Sequence, residues 1–378
     1  MRHTNDLTAV LLSLLIFTTS ATSCKANVNT TNAESNGHVA QNNTGTLVPT
    51  GRMATVRATH TATLLTNGKV LITGGMERND VYTNSAELYN PATGTFVAAG
   101  NMNEERAGHT ATRLPNGKVL IAGGSNTEWL TSVEVYDPAT GSFTPTRSMS
   151  VGRGGATATL LPNGKVLIAG GYNGSLQASA ETYDFTTGRF TPTGSMSVGR
   201  SAHTATLLPN GKVLITGGGA NRNVLASAEL YDPETGTFTP TGRMTTVRHK
   251  HAAVLLPNGN VLIVGGSDNR DWRGRHTSAE IYNPATGAFT AAGNMNTARF
   301  KLLNAVTLLN NDTVLIAGGS ERVETYNSAM RTFNMVSGQM DAARFFSTAT
   351  LLSDGRVLII GGYDSDIVAS ARAWLYQP

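Results

Sequence analysis

The densest gathering of chemically capable side chains runs Asp268, Asn269, Arg270, Asp271, Trp272, Arg273, Gly274, Arg275, His276. An aromatic ring beside forked guanidinium donors suits sugars, carboxylated glycans or a peptide surface. This run is one of seven dissimilar segments that each follow a Gly-Gly pair, and the others contribute Trp129, Tyr172, Arg222, Tyr363, Asp364 and Asp366 as further ligand-binding candidates. The acidic pair Asp268 and Asp271 lacks the alternating ligands and the glycine of a calcium loop, so no metal site is read there. No nucleophile elbow, phosphate loop, paired-carboxylate motif or zinc spacing is present, and no catalytic residue or cofactor is assigned.

Two residue types recur with a period that argues for structure. Seven arginines, Arg57, Arg106, Arg153, Arg200, Arg248, Arg299 and Arg344, alternate with six glutamates, Glu87, Glu134, Glu181, Glu229, Glu280 and Glu324. A buried guanidinium needs an opposite charge, so equal repetition of both signs predicts pairing rather than an anion-trapping ring. Trp374 stands where the seventh glutamate belongs, which leaves Arg344 without that partner. His60, His109, His203 and His251 follow their arginines by three residues, one to a unit, which does not converge on a metal.

These residues must be carried by a repeated scaffold. Gly-Gly pairs begin at Gly74, Gly123, Gly170, Gly217, Gly265, Gly318 and Gly361, a mean spacing of about 48 residues. Each unit reads as four short strands: one of Thr, Ala and Leu from a position such as His60, an apolar run such as Lys69 to Gly75, a Ser-Ala-Glu-Leu-Tyr strand, and one after a Pro-x-Thr-Gly turn. Asn-Gly joins the first two strands in five units, predicting a tight hairpin with both central residues at positive φ. A Phe follows the Tyr by seven residues in six units. Four antiparallel strands repeated seven times predict an all-β, seven-bladed β-propeller. The last unit ends at Pro378 without a fourth strand, and residues 44–53 supply one without its first three. The N-terminal strand is therefore expected to close the last blade and remove the open edge.

Strand alternation puts the first-to-second and third-to-fourth turns on one face. The varied second-to-third loops share the other with the blade-to-blade crossovers, and variation on a rigid face marks it as the binding face.

Composition agrees with a folded domain carrying an exported leader. The chain has 378 residues, 40% hydrophobic and 14% charged, with a formal net charge of +4, and no long basic cluster, so a nucleic-acid partner is not expected. Residues 1–23 read as a signal peptide: Arg2 and His3, an apolar core from Leu7 to Phe17, then small residues. Ala21-Thr22-Ser23-Cys24 resembles a bacterial lipobox, making Cys24, the only cysteine, a candidate lipidation site; ordinary cleavage after Ser23 is the alternative. Residues 24–44, rich in Asn, Thr and Ser, read as a disordered tether, and residues 45–378 as the propeller. The expectation is a monomer, exported to the cell envelope and held by lipid at the outer membrane or cell surface, or otherwise secreted.

Arg-x-x-His-Thr-Ala-Thr-Leu-Leu, Asn-Gly-Lys-Val-Leu-Ile-x-Gly-Gly and Glu-Leu-Tyr-Asp-Pro-x-Thr-Gly-x-Phe together resemble the kelch repeat over residues 46–378. The resemblance implies a propeller that either binds partners or, in a few members, catalyses. Galactose oxidase, an enzyme to whose propeller the repeat is distantly similar, uses a copper centre with a tyrosine cross-linked to cysteine, and this propeller contains no cysteine. The primary expectation is a non-catalytic recognition module for glycan or protein. A carbohydrate-modifying enzyme, a kelch-type mutarotase or epimerase, is the alternative.

Overall fold

The structure is a computed structural model that describes residues 45–220 and 223–378. Cys24, the leader and the tether lie outside the described residues, as does Arg222. Seven four-stranded antiparallel sheets make seven blades. Blade 1, for example, is Thr61–Leu64, Val70–Thr73, Ser85–Asn90 and Thr95–Asn101, paired in chain order. The first strand of every blade touches the first strands of both neighbours, and the circle closes between blades 7 and 1, so these strands line the axis. Blade 7 takes its fourth strand from the N-terminus: Thr46–Pro49 pairs with Ala373–Gln377 in the register Leu47 to Tyr376 and Pro49 to Trp374. One sheet is stitched from both chain ends, leaving no free edge where the ring meets.

The apolar runs are the second strands, and in six of the seven blades all four of their residues are buried, as in Val70–Thr73 and Val357–Ile360. Such strands face a neighbouring blade on each side, which is why they lack a polar alternation. The Tyr-to-Phe spacing of seven residues is the third-to-fourth hairpin seen from the side: each pair lies directly cross-strand, with ring centroids 4.7 to 4.8 Å apart. Cross-strand aromatic pairs of this kind pin register.

The Asn-Gly hairpins differ from expectation in one respect. Only the glycine takes positive φ, +80° at Gly68, while Asn67 does not. Gly68 N–H donates to Leu65 O, Leu65 and Lys69 pair across the loop, and the Asn67 side-chain oxygen accepts from Lys69 N–H. This is a type I turn ending in a left-handed residue, one residue longer than the two-residue primed turn.

Each buried arginine ties a crossover to its own blade. Arg200 donates to Gly217 O, Ser227 O, Ser227 Oγ and Glu229 Oε1, the last at 2.7 Å. The same pairing occurs at Arg57–Glu87, Arg106–Glu134, Arg153–Glu181, Arg248–Glu280 and Arg299–Glu324. Arg344 has no glutamate, as its sequence context implied; it pairs with Asp341 at 2.7 Å and lies over the Trp374 ring. The Gly-Gly pair serves the neighbour: Gly75 N–H donates to Arg106 O, and the equivalent bond recurs around the ring until Gly362 N–H reaches Arg57 O. A Cβ on Gly74 would lie 2.4 Å from Arg106 O, and both glycines have positive φ, so no other residue fits there without strain.

Removing one partner of such a pair strands a buried charge. Glu229→Ala should cost about 3–5 kcal/mol in chemical denaturation, whereas Lys212→Ala, which breaks the exposed Lys212–Asp232 contact, should cost under about 1 kcal/mol. Equal losses would show that the arginines are not the internal ties described.

Candidate functional site

The crossover residue two after each arginine has positive φ in all seven blades: Thr59, Gly108, Gly155, Ala202, Lys250, Lys301 and Phe346. Backbone amides link most of these positions directly round the axis, from Gly108 N–H to Thr59 O, Gly155 to Gly108, Lys250 to Ala202 and Phe346 to Lys301, closing with Thr59 N–H to Phe346 O. Blades 1 to 4 fill this ring with small side chains. Blades 5 to 7 fill it with Lys, Lys and Phe, although left-handed backbone costs a bulky residue free energy of the order of 1 kcal/mol or more.

The large side chains on that half form one cluster at the axis on the loop face. Lys301 Nζ donates to Tyr363 Oη at 2.5 Å and lies 4.7 to 5.9 Å from the ring centres of Trp272, Phe300, Phe345, Phe346 and Tyr363. Lys250 Nζ donates to Asp271 Oδ1 at 2.9 Å, and Ser267 Oγ donates to the same oxygen at 3.3 Å. His249 Nε2 is 3.4 Å from it without hydrogen-bond alignment. The short 3₁₀ turn Asp271–Gly274 sets Asp271 inward, with φ +51°, and lays Trp272 against Phe300 and Phe345.

Burial dominates the electrostatics. It lowers the Lys250 ammonium and pushes Lys301 well below the ordinary lysine value, where the neighbouring charge of Lys250 adds to the effect and Asp271 opposes it. Tyr363 is raised well above its ordinary value by burial and by the Asp271 charge, so it stays a neutral hydroxyl. For Asp271, burial acts upward, but His249 and the two lysines outweigh it and keep the carboxylate ionised.

The structure thus brings three of the sequence candidates together, Asp271, Trp272 and Tyr363, and turns two of them inward as buried groups. Asp268, half-buried, and Arg270, exposed, instead form a local pair at 2.6 Å, and Arg273 and Arg275 are exposed beside them, Arg275 lying 5.8 Å from the Trp272 ring. Trp129 and Tyr172 form a second, separate aromatic contact, edge to face at 5.0 Å and half-buried, with the indole resting where Gly154 has no side chain. Asp364 caps its own loop by accepting from Asp366 and Val368 amides, and Asp366 is exposed. Sequence reading missed Lys250, Lys301, Phe300, Phe345 and Phe346. Their signal was available: aligned on the arginine, the first position reads Ala, Ala, Gly, Ser, His, Phe, Phe and the second Thr, Gly, Gly, Ala, Lys, Lys, Phe.

The repeated histidines are inter-blade ties. His109 Nε2 meets Thr61 and Thr73 of the preceding blade, His203 meets Thr157, His251 meets Thr204 and Thr216, and His60 meets Thr348 across the closure.

Four stretches of the chain, 57–103, 106–150, 200–245 and 248–296, match the family model described as the Kelch motif. The chain is a kelch-motif propeller. A solved structure of a fungal alcohol oxidase of the AA5 family, in complex with copper, superposes with a TM-score of 0.72 over 89% of this chain and 77% of that one, at 18% identity. At that identity the likeness is one of fold. No curated protein matches the sequence. The donors at the axis do not fit a copper centre of that kind: the Tyr363 hydroxyl is engaged by Lys301 Nζ, and among the described residues no three His, Cys, Asp or Glu side chains converge.

Burial depresses His60 and His203 to about 3 in the folded protein, against an ordinary 6.5. The unfolded chain therefore binds protons that the folded one refuses between those values, and stability should fall with pH below 6.5 by about 1.4 kcal/mol per unit for each histidine. Urea midpoints measured from pH 7 to 4 should decline accordingly, and His203→Gln should flatten that slope; an unchanged slope would contradict the buried neutral state.

Proposed function

We propose that the chain is a recognition module for a glycan or protein ligand, working through the face that carries the second-to-third loops and the crossovers. The observation that carries this reading is the Trp129–Tyr172 pair. Two half-buried rings meet on a loop face where the repeat is otherwise varied, supported from below by glycine rather than absorbed into an inter-blade core. Rings held at fixed angle, with one surface still open, supply contact area at small entropic cost and are the commonest anchors of binding surfaces. The exposed Arg273 and Arg275 two or three blades away add donors for carboxylate or peptide oxygens.

The carbohydrate-modifying alternative has less behind it. Proton transfer on a sugar needs an acid or base able to change its charge, and six strand glutamates are each engaged by an arginine while Asp341 engages Arg344. Display at an envelope is part of the proposal and rests on the leader and on Cys24.

A glycan and peptide array probed with the purified protein should give selective binding that drops more than about tenfold in Trp129→Ala/Tyr172→Ala, the loss expected for central aromatic anchors. Trp272→Ala/Arg273→Ala, tested alongside, reports whether the fifth-blade loop shares the surface. Binding that survives both double variants would refute the loop-face reading.

A further inference from the structure

We infer that Lys301 is a nucleophilic lysine that captures a small aldehyde or ketone as an imine in the aromatic cluster at the propeller axis. This goes beyond the recognition reading and does not depend on it.

Three independent features of the geometry lead here. The first is position: Lys301 occupies a ring site where the backbone is left-handed, φ +60°, and where blades 2 and 3 use glycine. Placing a lysine there costs stability, and such strain persists where a side chain is needed at that point. Lys250, one blade earlier, repeats the choice at φ +54°. The second is surroundings: five aromatic rings lie within 6 Å of Lys301 Nζ, and among the described residues its side-chain hydrogen bond goes to Tyr363 Oη. The one carboxylate of the cluster, Asp271, bonds to Lys250 instead. An amine in an apolar pocket beside a second cation is the arrangement that makes a lysine reactive towards carbonyls. The rings attract the charged form, while burial and the neighbouring charge of Lys250 act against it. The third is access: Lys301 is itself fully buried, but two walls of its cage, Trp272 and Phe346, are only half-buried, and Trp272 sits on a four-residue turn in a loop whose tips, Asn269, Arg270 and Arg273, are exposed, so a small carbonyl would enter by displacing that turn.

The step balances with the groups present. The neutral Nζ lone pair attacks the carbonyl carbon, the C=O π pair moves to oxygen, and that oxygen takes a proton, giving a carbinolamine. Loss of one water then forms the C=N bond. Tyr363, neutral and 2.5 Å from Nζ, is placed to donate to the carbonyl oxygen and to accept the proton that nitrogen releases. No oxidant or reductant takes part, and hydrolysis reverses the capture.

The full chain treated with glycolaldehyde and cyanoborohydride, which delivers hydride to an imine carbon and fixes it as a secondary amine, should acquire its fastest adduct at Lys301. The lysines of the hairpin turns, Lys118 and Lys212, are exposed internal references. Peptide mapping at pH 7 should show Lys301 labelled at least tenfold faster than either, with a pH midpoint below theirs. Tyr363→Phe should slow that adduct several-fold while leaving the reference rates unchanged, and Lys301→Met should remove it with the circular dichroism spectrum retained. Labelling of Lys301 no faster than Lys118 and Lys212, including none at all, would overturn the proposal and make Lys301 a buried cation with a packing role.

Discussion

The fold depends on a buried guanidinium whose charge and two terminal nitrogens are met by its own blade. Each of the six arginines that has a glutamate partner is essentially inaccessible to water, and its hydrogen bonds go to the first glycine of the Gly-Gly pair and to the third strand. Desolvating such a cation is costly unless the partners are already in place. The strand glutamate is in turn fixed by backbone amides of the crossover, as Glu87 is by Ala54 and Thr55. Crossover, second strand and third strand are therefore locked as a set, and the Gly-Gly amide then reads the position of the next arginine's carbonyl. Blade geometry and blade spacing follow from one repeated interaction.

A lock repeated seven times would make a symmetric ring, and a symmetric ring offers nothing selective at its axis. Asymmetry enters where packing leaves freedom: the crossover position at the ring and the loop after the Gly-Gly pair. Blades 1 to 4 leave small residues at the ring, while blades 5 to 7 crowd it with Lys250, Lys301 and Phe346. The longest loop, in blade 5, turns Asp271 and Trp272 over that crowd, and Tyr363 from blade 7 meets it from the other side. The half-ring so built is polar at its centre and aromatic at its walls, a combination that no single repeat contains.

The histidines show how the same residue type is turned from chemistry to structure. Each sits between two blades with its Nε2 on a threonine hydroxyl, in surroundings that disfavour the charged form. Held neutral, they close the inner seam between blades and contribute an acid sensitivity in place of a site.

The sequence by itself determined the blade count, the strand order, the closing role of residues 46–49, the cross-strand Tyr–Phe pairs and the Arg–Glu pairing, because each is local or repeats at a fixed period. Even the exception was legible, since Trp374 in place of glutamate pointed to a different partner for Arg344. The hairpin turns were read one residue too tight, because Asn-Gly alone does not fix whether one or both residues turn left-handed. What only the tertiary structure decided was the axial cluster. Its members, from Lys250 to Tyr363, are spread over more than a hundred residues and come from three crossovers and two loops. They meet because ring closure brings crossovers of successive blades around one axis, a distance that no spacing along the chain encodes. For the same reason Asp271 and Tyr363, which read as ligand-binding candidates of the loops, proved to be buried partners of Lys250 and Lys301.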